Sequence, residues 1–358
     1  MKNILVTGGA GFIGTNFILG MFKASGFEKL VTLDLLTYAG NIDNLRELEG
    51  DPRYRFEQAD IRDLEAVSRV VAEQEIDTIV NFAAETHVDR SILGPIQFLE
   101  TNMVGTGCLL EAARKAWAGR GEDEVRFHHI STDEVFGSLA PDDPPFSERT
   151  AYAPNSPYSA SKAGSDHLVR AYRHTYGLPV TISNCTNNYG PYQYPEKLIP
   201  LVILNCLTGK PIPVYGDGKQ VRDWLYVEDH CDAIRVILER GRVGETYLIG
   251  GDNQPTNLEI IRSITDIFDE IRPDSPYNPH FKLVQFVKDR PGHDRRYDMD
   301  ISRIERELGW SPKVSLQEGL RKTVTWYLEH LDWLDCLSQK PELKDWMEKN
   351  YSGRRVEK

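Results

Sequence analysis

Short apolar runs of strand length alternate with longer segments of helical spacing along the first half of the chain. The runs predict strands at 4–6, 29–33, 54–57, 78–82, 125–130 and 179–183. The helical spacing predicts helices at 15–21, 42–48, 64–73, 95–117 and 158–176. Strands and helices that alternate in this way indicate a doubly wound parallel sheet, with ligands at the carboxyl ends of its strands.

The alternation weakens after residue 190. Helical segments at 199–207, 227–238 and 258–268 mix there with short extended runs at 212–215, 246–249 and 283–287. This pattern predicts two domains, at 1–190 and mainly at 191–330, with some later segments returning to the first sheet. We expect the charged residues 331–358 to form a peripheral tail.

The composition and charge are typical of some classes of protein and argue against others. Of 358 residues, 40% are hydrophobic and 27% charged, as in ordinary globular proteins. The formal net charge of -12 disfavours broad attraction to nucleic acid or to anionic membranes. There is no run of 18 apolar residues, and the strand at 4–6 leaves no room for a signal peptide. Five scattered cysteines without a CxxC pair favour free thiols in a cytoplasmic protein and argue against a metal site.

A glycine motif follows the first predicted strand and opens the first predicted helix. Gly8, Gly9, Gly11 and Gly14 match the spacing of a dinucleotide-binding loop, in which glycine permits a tight turn and close approach to pyrophosphate. Asp34 ends the second strand, where a carboxylate binds ribose and repels a 2′-phosphate, so NAD is favoured over NADP. A glycine-rich turn and a turn aspartate are the alternatives. The motif predicts a Rossmann-type α/β fold, with a smaller mixed α/β C-terminal substrate domain.

Tyr158 and Lys162 are separated by one helical turn and so share a helix face. An unperturbed tyrosine, with a pKa of about 10, is a poor base at neutral pH. We expect the Lys162 ammonium and an oxidised nicotinamide to lower the pKa of Tyr158. Tyrosinate can then take the proton of a sugar hydroxyl as hydride leaves the same carbon.

Two adjacent carboxylates, Asp133 and Glu134, follow the strand predicted at 125–130. Such a pair is often only a solvated surface feature. When buried together, the two groups cannot easily both ionise, so they titrate as a coupled pair and can supply one acid and one base. Neighbouring residues on a strand point to opposite faces. Both carboxylates can therefore reach one substrate only if the strand has ended by Asp133, and Gly137 suits such a turn.

Together, the glycine motif and the Tyr-Lys pair resemble those of the extended short-chain dehydrogenase/reductase family. More narrowly, several separated stretches are similar to the dTDP-glucose 4,6-dehydratases within it. These stretches are TYAGN at 37–41, NFAAETHVDRS at 81–91, STDEV at 131–135, NNYGPYQ at 187–193, PEKL at 195–198, RDW at 222–224 and DRPGHD at 289–294.

The resemblance implies a role for each catalytic residue. Tyr158 would be the base for oxidation at C4 of the glucosyl unit, with Lys162 lowering its pKa and binding the nicotinamide ribose. Thr132 would hydrogen-bond to the C4 oxygen. Glu134 would then remove the C5 proton while Asp133 protonates the departing C6 hydroxyl. Hydride would return to C6, so NAD would be regenerated in each cycle.

The resemblance also implies two binding sites and no metal. The expected NAD site comprises Gly8, Gly11, Phe12, Ile13, Gly14, Asp34, Leu35, Thr37, Asp60, Ile61, Ala83, Ala84, Thr101, Tyr158, Lys162 and Asn188. The expected dTDP-glucose site comprises Thr86, His87, Thr132, Asn187, Glu196, Lys197, Leu198, Pro213, Tyr215, Arg222, Asn257, Asp289, Arg290, His293 and Tyr297. A homodimer through the helices at 95–117 and 158–176 is implied as well.

Three residues depart from the usual pattern of these dehydratases. Thr86 and Thr186 stand where serine is usual, and Phe136 stands where tyrosine is usual. The departures concern substrate preference more than reaction type. The alternatives are an NAD-dependent nucleotide-sugar 4-epimerase or decarboxylase and a non-catalytic NAD-binding protein on the same fold. Epimerases usually carry small hydroxyl residues in place of Asp133 and Glu134.

Overall fold

A computed structural model describes residues 1–352 and 354. Its strands are β1 (Asn3–Thr7), β2 (Lys29–Asp34), β3 (Tyr54–Gln58), β4 (Thr78–Asn81), β5 (Arg126–Thr132), β6 (Val180–Cys185), β7 (Asn187–Tyr189), β8 (Ile212–Tyr215), β9 (Trp224–Tyr226), β10 (Thr246–Ile249) and β11 (Val284–Val287). Its α-helices are α1 (Phe12–Ala24), α2 (Leu64–Glu73), α3 (Val88–Leu93), α4 (Pro95–Phe98), α5 (Thr106–Ala116), α6 (Pro157–Tyr176), α7 (Leu198–Thr208), α8 (Val227–Arg240), α9 (Asn257–Ile271), α10 (Ser302–Leu308), α11 (Leu316–Glu329), α12 (Leu331–Gln339) and α13 (Pro341–Ser352). No helix in that part of the chain is long and apolar enough to cross a membrane.

Seven strands form one parallel sheet in the order β10-β6-β5-β4-β1-β2-β3. The chain runs outward from β1 in both directions, first through β2 and β3 and then through β4, β5 and β6. The predicted Rossmann-type sheet is therefore confirmed. The strand order reverses between β1 and β4, and a crevice for a ligand opens at such a switch point.

Both faces of the sheet are covered, which explains why its strands are apolar runs without alternation. Leu5 packs on one face, in a core that also includes residues of α2, α5 and α6. Ile4 and Val6 point to the other face and pack with residues of α1 and α8. The short run 4–6 thus contributes to two separate cores.

A further apolar core forms among α7, α9, α11 and the pairs β7–β9 and β8–β11. Later segments also rejoin the large sheet, because β10 is its edge strand and α8 packs on α1. We expected some later segments to return to this sheet. The domain boundaries at 190 and 330 stay predictions.

Residues 331–352 are not peripheral, contrary to our expectation for 331–358, and residues 353 and 355–358 lie outside the described part of the chain. Helices α12 and α13 bury Leu334, Leu337, Leu343 and Trp346. The charged residues that suggested a solvated tail lie on the outer faces of these helices, and the few apolar residues between them are enough to pack the segment onto the protein.

The helix predicted at 95–117 is interrupted. A π-helical stretch at Leu99–Gly105 separates α4 from α5. The helix passes very close to a neighbouring loop there, since a Cβ on Gly105 would lie 2.5 Å from the side chain of Ile61. The helix predicted at 42–48 is present, with the tighter 3-10 geometry.

Candidate active site

The loop between β1 and α1 forms the floor of a cleft at the switch point of the sheet. Gly8 has a φ of +67°, and a Cβ there would lie 2.7 Å from the Ala83 nitrogen. A Cβ on Gly14 would lie 2.4 Å from the carbonyl oxygen of Gly8. Only glycine fits these two positions. The loop therefore packs tightly, and the N-terminus of α1 is left open to the pyrophosphate of a dinucleotide.

Asp34, at the end of β2, has a structural role and also lies in the cleft. Its carboxylate accepts hydrogen bonds from the Ala10 amide (3.0 Å) and the Leu36 amide (2.8 Å), so it ties two loops together. It also lines the cleft. Burial raises the pKa of Asp34, and the two backbone hydrogen bonds oppose this rise.

All the residues predicted to bind NAD line this one cleft, from Gly8 to Asn188. The close-packed glycines and the carboxylate of Asp34 are the features that a dinucleotide requires. The contacts of the individual residues with NAD stay predictions. Residues that the sequence analysis missed also line the cleft: Tyr38, Ala39, Gly40, Ala59, Arg62, Glu85, Gln97, Cys185, Gln193 and Tyr194. Several fall in stretches quoted for the family resemblance, which was the available signal.

Tyr158 and Lys162 lie on the first turns of α6 and reach the same cleft. The Lys162 Nζ donates a hydrogen bond to the Ile130 carbonyl (2.7 Å). Burial, with the negative charge of Glu134, raises the pKa of Tyr158 well above its ordinary value. The expected lowering of this pKa is therefore not found in the protein alone.

The strand β5 ends at Thr132, as the carboxylate pair requires. Asp133 to Phe136 form a 3-10 turn, and the Thr132 hydroxyl accepts a hydrogen bond from the Glu134 amide (3.3 Å). Gly137 ends the turn with a φ of +86°, and a Cβ there would lie 2.4 Å from the Ala153 carbonyl oxygen. Both carboxylates consequently line the cleft, together with Thr132.

The two carboxylates differ in their electrostatic surroundings. Burial and the neighbouring Glu134 raise the pKa of Asp133 to about 8. Burial also raises the pKa of Glu134, but the positive charges of Arg290, Arg222 and Lys197 oppose this rise. Asp133 is thus the group that holds a proton at neutral pH, and Glu134 is the group more readily ionised.

Three cations act on the charge of Glu134, of which Arg222 is buried and Lys197 and Arg290 are partly buried. Lys197 lines the cleft and donates to the Thr86 carbonyl (3.0 Å). Arg222 donates to the Asp294 carbonyl (2.8 Å) and lies over the ring of Tyr297, 4.2 Å from its centroid. Arg290 has its nearest acidic partner in Asp89, at 3.7 Å. Positive charge concentrated here, in a chain of net charge -12, suits an anionic ligand.

The residues predicted to bind substrate fall into two groups. Thr86, Thr132, Asn187, Glu196 and Lys197 line the cleft. The others lie outside this lining: His87, Leu198, Pro213, Tyr215, Arg222, Asn257, Asp289, Arg290, His293 and Tyr297.

Several of the outer residues are linked to one another. The Tyr215 hydroxyl donates to Asp89 (3.1 Å), which also faces Arg290. His293 contacts Asp289 (2.6 Å), and burial and the nearby Arg290 lower the pKa of His293 to about 4, so its imidazole is neutral. Leu198, by contrast, packs against the apolar core among α7, α9 and α11, where its side chain has a structural role.

Asp166, which the sequence analysis did not single out, anchors the strand that carries the carboxylates. It lies one turn after Lys162 and is fully buried. Its Oδ2 accepts hydrogen bonds from the Ser131 hydroxyl (2.8 Å), the Tyr152 hydroxyl (2.7 Å) and the Asn184 amide (3.3 Å). Asn184 also donates to the Thr132 carbonyl (3.1 Å). One carboxylate thus fixes the last residues of β5.

Comparisons with known proteins agree with this geometry. A family model described as GDP-mannose 4,6 dehydratase matches residues 5–323. The dTDP-glucose 4,6-dehydratase of Salmonella typhimurium is 52% identical, over 98% of this chain and 99% of its own. The chain belongs to the dTDP-glucose 4,6-dehydratase family. A crystal structure of the dTDP-glucose 4,6-dehydratase from Streptomyces venezuelae, with NAD bound, has a TM-score of 0.86 and 47% identity and covers 94% of this chain and 100% of that one.

The same fold also serves other reactions. A UDP-glucose 4-epimerase from Thermotoga maritima has a TM-score of 0.81 and 29% identity, covering 92% of this chain and 100% of that one. The fold alone therefore does not separate dehydratases from epimerases.

The three departures from the dehydratase pattern have structural settings. Thr86 and Thr186 both line the cleft, and the Thr186 hydroxyl donates to the Asp223 carbonyl (2.7 Å). Phe136 stacks on Phe146 with ring centroids 5.0 Å apart, in an apolar cluster. The hydroxyl that tyrosine would add is thus not needed for packing at position 136.

We predict that Asp166→Asn lowers the free energy of unfolding by about 3 kcal/mol, because it removes a buried charge from three converging donors and places an NH2 group against them. Chemical denaturation measures this change. The control is Asp142→Asn, an exposed loop carboxylate, for which we expect less than about 0.5 kcal/mol. Equal stability of the two variants would contradict the anchoring role of Asp166.

Proposed function

We propose that this chain dehydrates dTDP-glucose to dTDP-4-keto-6-deoxyglucose. The reaction proceeds by oxidation at C4, elimination of water across C5–C6 and return of hydride to C6, with NAD regenerated in each cycle. The observation that carries the proposal is the pair Asp133–Glu134. The two carboxylates lie just beyond the end of β5, buried and electrostatically unequal, in the same cleft as Tyr158 and Lys162.

Oxidation at C4 is assigned to Tyr158, with Thr132 beside it. NAD, when bound, supplies a reversible hydride acceptor and a positive charge. Because burial and Glu134 keep Tyr158 protonated, removal of the C4 hydroxyl proton depends on positive charge close to its phenol. Lys162 is one turn away, and its bond to the Ile130 carbonyl keeps the ammonium beside the cleft. Thr132 orients the C4 oxygen.

Elimination is assigned to the two carboxylates. A ketone at C4 acidifies the proton on C5, which Glu134 removes as the base, with its ionised form favoured by three cations. Asp133 donates its proton to the C6 hydroxyl, which leaves as water. One carboxylate ionised and one protonated at the same pH is the division of labour that elimination needs.

The nucleotide end is assigned to Arg222, Arg290 and Lys197, whose charges suit a diphosphate. These assignments rest on the resemblance and on the local charge. A 4-epimerase or decarboxylase is not favoured, because neither needs a protonated carboxyl where Asp133 stands. A non-catalytic role leaves the buried pair without an explanation.

We further propose a homodimer. Four large apolar side chains on the continuous segment from α3 to α5 are exposed: Leu93, Ile96, Leu99 and Val104, by 56%, 62%, 39% and 56%. Tyr176, at the end of α6, is exposed by 56%. Exposed apolar side chains on neighbouring helices are typical of a protein interface, and the partner that fits is a second copy. The free thiols favour a cytoplasmic location.

Incubation with dTDP-glucose in deuterated water tests the reaction directly. We expect the 4-keto-6-deoxy product with deuterium at C5, detected by NMR, and copurified NAD without net accumulation of NADH. Absence of the keto-deoxy sugar would refute the proposal, and an epimer without deuterium at C5 would favour the epimerase. A parallel incubation with UDP-glucose tests the base preference.

Variants of the pair test the assignment of acid and base. We expect Glu134→Gln and Asp133→Asn to keep oxidation at C4, seen as NADH absorbance, and to slow elimination by about 10²–10⁴-fold. Since Asp133 acts in its protonated form and its pKa is about 8, elimination should fall as the pH rises through 8. In Asp133→Asn the rate of elimination should no longer fall as the pH rises through 8, whereas in Asp142→Asn it should still fall. Parental rates in both pair variants would show that the assignment is wrong.

The dimer is tested at Ile96. We expect the parent protein to sediment at about twice the chain mass of 40.7 kDa and Ile96→Glu to sediment as a monomer, because a buried charge opposes association. Ile42→Glu, at an exposed site elsewhere (36% exposed), is the control and should remain dimeric. A monomeric parent would exclude the dimer.

A further inference from the structure

The C-terminal helices form part of one wall around the cleft. Leu337 of α12 and Leu343 of α13 are buried in a cluster with Tyr194, and Tyr38 and Met347 pack against this cluster. Tyr38 and Tyr194 both line the cleft. The last described segment of the chain therefore supports residues of the active site, although it lies far from them in sequence.

Trp346 of α13 contacts a cation in this wall. The guanidinium of Arg90 lies over the ring of Trp346, 4.3 Å from the centroid, and over the ring of Tyr38, at 4.0 Å. The indole also packs edge-on against His87, with centroids 5.1 Å apart. Two aromatic faces thus restrict the position of the guanidinium, and such contacts are stronger when water is excluded.

Arg90 in turn fixes a carboxylate of the cleft. Its Nε and Nη2 donate to the Oε2 of Glu196 at 3.0 and 2.8 Å. The Glu196 side chain is only 1% exposed and lines the cleft. A buried carboxylate is costly unless a charged partner holds it, and Arg90 is that partner.

The Glu196 carboxylate is suited to bind one part of a nucleotide sugar and not the other. Carboxylate oxygens accept hydrogen bonds and repel phosphate. Glu196 therefore suits the hydroxyl groups of a hexose, whereas the cations at Lys197, Arg222 and Arg290 suit the diphosphate.

We propose that Trp346 is a positioning residue for the sugar: by restricting Arg90, it orients the Glu196 carboxylate toward the hydroxyl groups of the bound hexose. This inference rests on the proposed function and extends it to the C-terminal helix. The aromatic face is the feature required, because a leucine side chain is apolar but does not attract a cation.

The test compares the affinities of dTDP-glucose and dTDP, measured by titration calorimetry in the Tyr158→Phe background so that the sugar is neither oxidised at C4 nor dehydrated. We expect Trp346→Leu to weaken dTDP-glucose about tenfold and dTDP by less than about twofold. Trp346→Phe keeps a ring and should restore most of the affinity. We expect Arg90→Lys to weaken the affinity for dTDP-glucose as much as Trp346→Leu does. The double variant should bind dTDP-glucose little more weakly than either single variant, because both residues act on the Glu196 carboxylate.

The matched control is Trp326→Leu, which removes an equal side chain outside the cluster of Tyr194, Leu337 and Leu343. The Trp326 indole stacks on His330, and we expect both affinities to stay within about twofold. Unchanged binding of dTDP-glucose in Trp346→Leu, or equal weakening of both ligands, would overturn the proposal. If Trp346→Leu does not fold, the affinities of Arg90→Lys for dTDP-glucose and dTDP test the proposal in its place. Failure of the parent to form the keto-deoxy product instead refutes the proposed function, since binding is measured without turnover.

Discussion

The buried carboxylate of Asp166 is the interaction on which the rest of the site depends. It gathers donors from β5, from β6 and from the loop at Tyr152, directly beneath the point where β5 ends. A carboxylate that accepts several hydrogen bonds can be buried without a large penalty. The strand end that it holds then carries Thr132 and the two acidic residues into the cleft.

The pKa values of Asp133 and Glu134 differ because different charged groups lie near each carboxylate. Asp133 is buried and Glu134 is partly buried, and burial raises the pKa of both. Three cations approach Glu134, and these come from different segments of the chain after β6. The large sheet therefore supplies the position of the pair, and the later segments supply its division into acid and base.

The parallel sheet, the glycine loop and the turn after Thr132 could be predicted from local sequence, because each depends on residues close together in the chain. Packing of the C-terminal helices could not, since Trp346 and Arg90 meet only in the folded protein. The prediction that Lys162 and an oxidised nicotinamide lower the pKa of Tyr158 also left out two causes that raise this pKa in the protein without NAD. Proximity of Lys162 is readable from spacing, whereas burial and the charge of Glu134 are not. Asp166 lacked any motif of its own.

The place of β10 at the edge of the sheet has a consequence for the growing chain. β10 pairs with β6, and sixty residues, 186–245, separate the two strands along the chain. During synthesis the first six strands are complete while the edge of β6 still lacks its neighbour. An unpaired strand edge invites pairing with other chains. Until β10 has been synthesised, the exposed edge of β6 can therefore pair with another chain.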